Sequence, residues 1–124
     1  MTNNSPAGGQ DPIQDLRNKL RQFAAERDWD QFHSPKNLAM ALSVEAAELL
    51  EHFQWLSDAE SAAMAPEKRA NISEEMADVL LYLIRLADKL DIDLANAATD
   101  KMSVNASKYP VQKARGSSKK YTEL

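Results

Sequence analysis

Apolar residues recur at intervals of three and four along most of the chain, which is the spacing of side chains on one face of an α-helix. The first such run begins at Ile13. Asp11 is a suitable N-cap for it and Pro12 suits the first helical position, so the pattern predicts a helix from 12 to about 28. No segment shows the period-two alternation of a half-buried strand. We therefore expect an all-α fold.

Three further helices are predicted in the same way. Ser34 before Pro35 caps the second helix, Pro66 begins the third, and Asp93 caps the fourth. The predicted ranges are about 35–56, 66–90 and 94–107. The connector between the second and third helices is short, which favours their antiparallel packing in a four-helix fold.

Two carboxylate pairs interrupt the apolar faces of the second and third helices. They have the same spacing, Glu45-x-x-Glu48 and Glu75-x-x-Asp78. Residues three apart on a helix point in nearly one direction, so each pair presents two carboxylates together. The first member of each pair falls within the apolar stripe and the second on its flank. We expect the four acids to point at one place.

Carboxylates in an apolar setting need a positive partner, because burial and mutual repulsion otherwise drive them to take up protons. The apolar stripes contain no Lys or Arg, and we expect Arg85 and Lys89 on the outer margin of the third helix. Oxygen ligands without Cys suit Mg²⁺ or Mn²⁺. A solvated Glu-rich face is the ordinary explanation of one such pair, but two pairs on consecutive helices favour a metal site.

Length and composition narrow the class of protein. A chain of 124 residues is expected to form one domain with a small core, which oligomerisation would help to stabilise. Its net charge of −4 does not suit binding to a nucleic-acid polymer or an anionic membrane. The chain has no Cys, which excludes disulfides, a thiolate zinc site and a Cys nucleophile. We expect a cytoplasmic protein without a signal peptide or transmembrane segment.

The predicted organisation has three parts. Residues 1–11 are rich in Asn, Gly and Pro and are expected to form a disordered leader. Residues 12–110 contain the predicted helices, and residues 111–124 form a basic tail. The tail follows the acids along the chain, and acids together with bases suit a ligand that is both metal-bound and polyanionic, such as a nucleoside triphosphate with Mg²⁺.

Several other residues allow two interpretations. Trp29 and Trp55 lie at the margins of the apolar stripes, where an indole either fills the edge of a core or stacks on a base. His33 beside a helix cap is commonly a hydrogen-bonding loop residue, and we keep it as a possible substrate contact. Lys101 and Asn105 share one face of the fourth helix, which is ordinarily a solvated face.

Motifs distributed along residues 12–124 resemble the MazG-like, all-α nucleoside triphosphate pyrophosphohydrolases, and among them the members that hydrolyse dCTP. The acid pairs are the family signature. The other matching stretches are Phe23-Ala-Ala-Glu-Arg-Asp-Trp29, Gln31-Phe-His33-x-Pro35, Phe53-Gln-Trp55, Glu74-Glu-x-x-Asp78-Val-Leu-x-Tyr82-Leu, Lys101-Met, Tyr109-Pro-Val111, Arg115-Gly-Ser and Lys120-Tyr-Thr122. Their number and order make the resemblance more specific than the acids alone.

The resemblance implies a four-helix MazG-like fold that assembles as a homotetramer, a dimer of dimers. It implies cleavage of dCTP, or a related pyrimidine deoxynucleoside triphosphate, to the monophosphate and diphosphate, as in sanitation of the nucleotide pool. The implied metal ligands and catalytic residues are Glu45, Glu48, Glu75 and Asp78, with Mg²⁺ as cofactor. The implied substrate contacts are Trp29, His33, Trp55, Tyr82, Lys101 and Asn105.

Two other classes of function stay open at this point. One is a helical carboxylate metal-binding bundle of the di-iron kind, although that architecture calls for Glu-x-x-His on two helices and neither His33 nor His52 follows a Glu by three. The other is a nucleotide-binding module without catalysis.

Overall fold

The computed structural model describes residues 11–124, and every regular element in that range is helical. The predicted leader lies outside the described residues except for Asp11. The α-helices are α1 (Pro12–Glu26), α2 (Pro35–Glu51), α3 (Asp58–Ser61), α4 (Pro66–Lys89), α5 (Leu94–Lys108) and α6 (Val111–Ala114). Short 3₁₀ turns occupy Asp30–Phe32 and Tyr121–Glu123. The predicted all-α class is confirmed.

The caps predicted for three of the long helices are present. The Asp11 side chain accepts a hydrogen bond from the backbone N–H of Ile13 at 2.9 Å. Ser34 Oγ accepts from the N–H of Asn37 at 3.1 Å, and Asp93 caps α5 in the same way. Such caps satisfy backbone donors that have no partner inside the helix. The starts of all four long helices therefore agree with the prediction.

The predicted end of the second helix was wrong. Apolar spacing continues through Phe53 and Leu56, but α2 ends at Glu51 and the next residues form turns. The reason is a capping box at the start of α3. Ser57 Oγ accepts from the N–H of Glu60 at 3.1 Å, and the Glu60 carboxylate accepts from the N–H of Ser57 at 2.9 Å. The connector therefore contains a short helix that periodicity did not indicate.

The described chain forms two compact units, residues 11–92 with α1 to α4 and residues 93–124 with α5 and α6. In the first unit α4 packs against both α2 and α1. The core residues of this unit are Ala24, Leu38, Ile72, Ile84 and Ala87, so each of the three long helices contributes to it. The domain boundary predicted at 110 stays a prediction.

Contacts at both ends show that α2 and α4 run antiparallel. His33, which lies just before α2, accepts a hydrogen bond from Arg85 near the end of α4. Glu48, near the end of α2, approaches Glu75 in the first half of α4. The two acid-bearing segments are therefore neighbours.

Within residues 11–124, no helix combines the length and apolar character needed to cross a membrane.

Candidate active site

Three of the four predicted acids form a cluster between α2 and α4. Glu45, Glu48 and Glu75 each place one carboxylate oxygen so that the three atoms lie within 4.8 Å of one another. All three side chains are half-buried. Asp78, one turn further along α4, is more exposed and hydrogen-bonds with Glu45 at the edge of the cluster. The geometry therefore joins all four acids, with Asp78 outermost.

The cluster is electrostatically unfavourable without a cation. Hydrogen bonding to Glu48, burial and the charges of Glu48 and Glu75 raise the pKa of Glu45 to about 7. Burial, followed by the charges of Glu48 and Asp78, also raises the pKa of Glu75. One oxygen of Glu75, Oε2, is buried and has no hydrogen-bond partner among the described residues. A buried acceptor without a partner, among carboxylates that repel one another, is a suitable ligand for a cation.

No basic side chain of the described chain forms an ion pair with these acids. The expectation for Arg85 was nevertheless wrong, because this residue is buried and not on the outer margin of its helix. Its guanidinium ion-pairs with Asp30, at 2.5 Å, and with Asp88, at 3.6 Å. Asp30 comes from the 3₁₀ turn before α2, and apolar periodicity within α4 gives no information about that partner.

A pocket of about 270 Å³ adjoins the acids. Its walls are largely apolar and aromatic, and Asp78 belongs to both the pocket and the acid group. The lining residues are Leu20, Phe23, Ala24, Trp29, His33, Asp78, Leu81, Tyr82 and Arg85. An apolar space lined by aromatic rings and a few polar groups, beside acidic ligands, suits a planar base attached to a phosphate chain.

Trp29 reaches the pocket because α1 ends in a Schellman motif. Asp28 adopts a left-handed backbone conformation with φ of +53°, and the N–H of Trp29 donates to the carbonyl of Ala24 at 2.9 Å. The chain thereby turns back and places the indole beside Phe23 at a centroid distance of 5.7 Å. The His33 ring lies 6.4 Å from the indole. Trp29 remains about half exposed, so part of the ring is accessible to a ligand.

Comparison with known proteins identifies the family. The model of the MazG-like family matches residues 40–124, which is more than half of the chain and includes both acid pairs. The chain belongs to the MazG-like family. The predicted resemblance is confirmed.

This MazG-like chain is 50% identical over 114 residues to rat dCTP pyrophosphatase 1, a match that covers 90% of this chain and 67% of the rat protein. The human protein of the same name is 48% identical over 114 residues, which again cover 90% of this chain and 67% of that protein. A crystal structure of a pyrophosphatase from Archaeoglobus fulgidus DSM 4304 superposes with a TM-score of 0.76 and 41% identity. That superposition covers 82% of this chain and 94% of the archaeal one.

The MazG-like site brings together only some of the predicted substrate contacts. Trp29, His33 and Tyr82 line the pocket. Trp55 does not line it, because it lies in the turns after α2 with 86% of its surface exposed. Lys101 and Asn105 lie on α5 in the second unit, where Lys101 is exposed and Asn105 is half-buried. The roles of these three residues stay predictions.

Sequence reasoning missed Arg85 in the wall of the pocket and Asp30, which forms an ion pair with Arg85. The signal for Arg85 was present, since Asp78, Tyr82 and Arg85 have the spacing i, i+4 and i+7 of one helix face. No local signal pointed to Asp30. Its role depends on the turn that follows the Schellman motif of α1.

Proposed function

We propose that this chain is a Mg²⁺-dependent nucleoside triphosphate pyrophosphohydrolase. Its proposed substrate is dCTP or a related pyrimidine deoxynucleoside triphosphate, cleaved between the α- and β-phosphates to the monophosphate and diphosphate. The observation that supports this best is the cluster of Glu45, Glu48 and Glu75 beside an aromatic pocket. Family membership and relatives named dCTP pyrophosphatase 1 support the same reaction.

The proposed metal ligands are Glu45, Glu48, Glu75 and Asp78. Their chemistry fits a hard divalent cation, because all donors are carboxylate oxygens and one of them, Glu75 Oε2, is buried without a partner among the described residues. Mn²⁺ is the expected substitute. When bound, such an ion neutralises charge on the phosphates and lowers the pKa of an attacking water.

The chain's own groups position the substrate and accept a proton. No Ser, Thr or Cys lines the pocket, so water is the proposed nucleophile. Glu48 hydrogen-bonds with Glu45, and it is the acid that we propose orients this water and takes its proton. In phosphoryl transfer most of the catalysis comes from position and electrostatics, which is consistent with a site built from acids beside apolar and aromatic walls.

The proposed nucleoside site is the pocket between Trp29 and Tyr82, with His33 as a polar contact. Trp55, Lys101 and Asn105 are proposed as further contacts from the family resemblance alone.

A homotetramer is also proposed, because apolar side chains are exposed along α2 and α4. Examples are Met40, Val44, Leu50, Met76 and Leu80. Size-exclusion chromatography with light scattering measures the molar mass of the assembly and therefore tests the homotetramer directly. The cytoplasmic location stays a prediction.

Initial rates of pyrophosphate release from a panel of triphosphates test the proposed function. The panel contains dCTP, dTTP, dATP, dGTP and CTP, each with Mg²⁺ and with a chelator. We expect the highest kcat/KM with dCTP, loss of activity with the chelator, and loss in Glu75→Gln. Glu74→Gln, which changes an exposed neighbour of the cluster, is the matched control and keeps its activity.

Calorimetric titration with dCTP and an iron-uptake assay distinguish the other two classes of function. Tight binding of dCTP without any product would indicate a nucleotide-binding module. Uptake of iron with no triphosphate turnover would indicate a helical metal-binding bundle.

A further inference from the structure

Arg85 is the one buried charged residue of the described chain, and three other side chains hold it in place. Its Nη2 donates to Asp30 Oδ1 at 2.5 Å, and its Nε donates to His33 Nδ1 at 3.1 Å. Its Nη1 lies 3.6 Å from Asp88 Oδ2. Asp88 is fixed in turn by two hydrogen bonds from Arg21, at 2.6 and 2.8 Å. The guanidinium therefore has little freedom to rotate away from His33.

The bond to Arg85 determines which nitrogen of His33 carries the proton. A guanidinium has N–H donors only and stays charged in proteins, so Nδ1 must be the acceptor. The ring proton of neutral His33 is then on Nε2. The groups that face the ring favour this neutral form, because burial and the positive charges of Arg85 and Lys89 lower the pKa of His33 and Asp30 offsets only part of that effect.

The Nε2–H of His33 is available to a ligand. It has no hydrogen-bond partner among the described residues, and it is not among the buried atoms without a partner, so it contacts solvent. His33 lines the pocket. The pocket therefore contains a donor that cannot switch to an acceptor while Arg85 remains in place.

The position of this donor suggests what it contacts. Asp78 and Arg85 are seven residues apart on α4, about 10 Å along the helix axis, and both line the pocket. Phosphates bound near Asp78 would leave the base at the end formed by Arg85 and His33. A pyrimidine base presents carbonyl oxygens, and cytosine also presents an unprotonated ring nitrogen, all of which are acceptors.

We propose that Arg85 is a positioning residue that holds His33 as an Nε2–H donor to an acceptor atom of the pyrimidine base. The base contact rests on the proposed function, whereas the tautomer of His33 does not. Arg85 itself acts through His33 and is not assigned a direct contact with the substrate.

Nitrogen NMR of the full-length, substrate-free protein tests the first part. Long-range ¹H–¹⁵N spectra are recorded at a pH where the imidazoles are neutral. The chain has two histidines, so His33→Gln assigns the signals of His33. We expect a protonated Nε2 and an unprotonated Nδ1 in the wild type and in Arg85→Lys, which keeps a group that only donates. Arg85→Met is expected to show a mixture of both tautomers.

Lys89→Met is the matched control. Lys89 bonds to the same Asp30 carboxylate but does not bond to His33, so this variant removes the same charge and leaves the tautomer unchanged. A wild-type ring protonated at Nδ1, or the same tautomer in Arg85→Met as in the wild type, would overturn the proposal. Thermal unfolding of each variant shows whether it is folded. If Arg85→Met is not folded, a ring protonated at Nδ1 in Arg85→Lys would overturn the proposal.

Steady-state kinetics with dCTP test the second part. Loss of the hydrogen bond is expected to raise KM about five- to tenfold in His33→Phe, with a smaller change in kcat. In Arg85→Met part of the population keeps the Nε2–H tautomer, so a rise of about two- to threefold is expected. Because Arg85 acts only through His33, the double variant Arg85→Met/His33→Phe is expected to be no worse than His33→Phe alone. Additive effects, or an equal rise in KM in Lys89→Met, would contradict the proposed base contact.

The two parts fail separately. If the wild type hydrolyses no triphosphate, the proposed function is wrong while the NMR result still decides the role of Arg85. If dCTP is hydrolysed normally and the tautomer does not depend on Arg85, the proposed function stands and this inference is wrong.

Discussion

Replacing Glu45 by Gln is expected to change how the stability of the metal-free protein depends on pH. In the folded chain the pKa of Glu45 is about 7, whereas its ordinary value is 4.5. Between these two values the folded state binds a proton that the unfolded state has lost. The free energy of unfolding therefore falls as the pH rises from about 4.5 to about 7 and then stays constant with respect to this group.

The size of the effect follows from the shift. A difference of about 2.5 pKa units corresponds to about 3 kcal/mol as an upper limit, at 1.36 kcal/mol per unit. Glu45 is only half-buried, so solvent screening reduces the expected loss to about 1–2 kcal/mol. The glutamine side chain of the Glu45→Gln variant does not titrate, and its amide can donate to Glu48 as the protonated carboxyl does. The variant is expected to lose less stability than the wild type over the same range.

Urea unfolding at pH 5 and pH 8 in the presence of a chelator measures this difference. Subtracting the variant's change from that of the wild type removes the contributions of the titrating groups that Glu45 does not interact with, and the remainder belongs to Glu45 and the acids coupled to it. We expect a remainder of about 1–2 kcal/mol, with the wild type losing more. Adding Mg²⁺ at pH 8 is expected to stabilise the wild type more than the variant. An equal loss in both proteins would refute the raised pKa and with it the crowding of carboxylates around Glu45.

Three further predictions concern the metal, the pocket and the core. Glu75→Gln is expected to weaken Mn²⁺ binding, measured by electron paramagnetic resonance, by about tenfold or more. The control Glu74→Gln is expected to leave the affinity for Mn²⁺ unchanged. Equal affinity in both variants would exclude Glu75 as a metal ligand. Trp29→Ala is expected to raise KM for dCTP by about tenfold, because stacking worth about 1–3 kcal/mol is lost. Trp29→Phe, which keeps an aromatic ring, is expected to have a KM closer to that of the wild type. An unchanged KM in Trp29→Ala would show that the base binds elsewhere. Ile84→Ala, at a residue 1% exposed, is expected to lower the free energy of unfolding by about 2–5 kcal/mol. The matched control Leu50→Ala, at a residue 58% exposed, is expected to have a much smaller effect. Similar losses in the two variants would contradict the burial of Ile84 in the core.

The sequence was sufficient to predict the features that depend on local chemistry. The starts of the long helices were predicted from capping residues such as Ser34 and Asp93, because a cap and the N–H groups it satisfies are within three residues of each other. The approach of Glu45, Glu48 and Glu75 was also predicted, since helix periodicity and a short connector determine which faces meet.

Features that depend on distant partners were not predictable in this way. Arg85 was placed on the outer margin of its helix from apolar periodicity alone, because its partner Asp30 comes from a turn 55 residues earlier in the chain. The end of α2 was predicted too late in the chain because Phe53 and Leu56 keep helical spacing. In the structure a separate helix, α3, begins at the capping box of Ser57 and Glu60. Periodicity within one element cannot show a competing cap or a partner from another element.

The central claim is that the acids and the pocket form a site that cleaves a pyrimidine triphosphate between its α- and β-phosphates. Phosphorus-31 NMR of a reaction of the wild-type protein with Mg²⁺ and dCTP identifies the bond that breaks. The proposed function predicts that dCMP and pyrophosphate appear in equal amounts from the start of the reaction. Formation of dCDP and orthophosphate would contradict it.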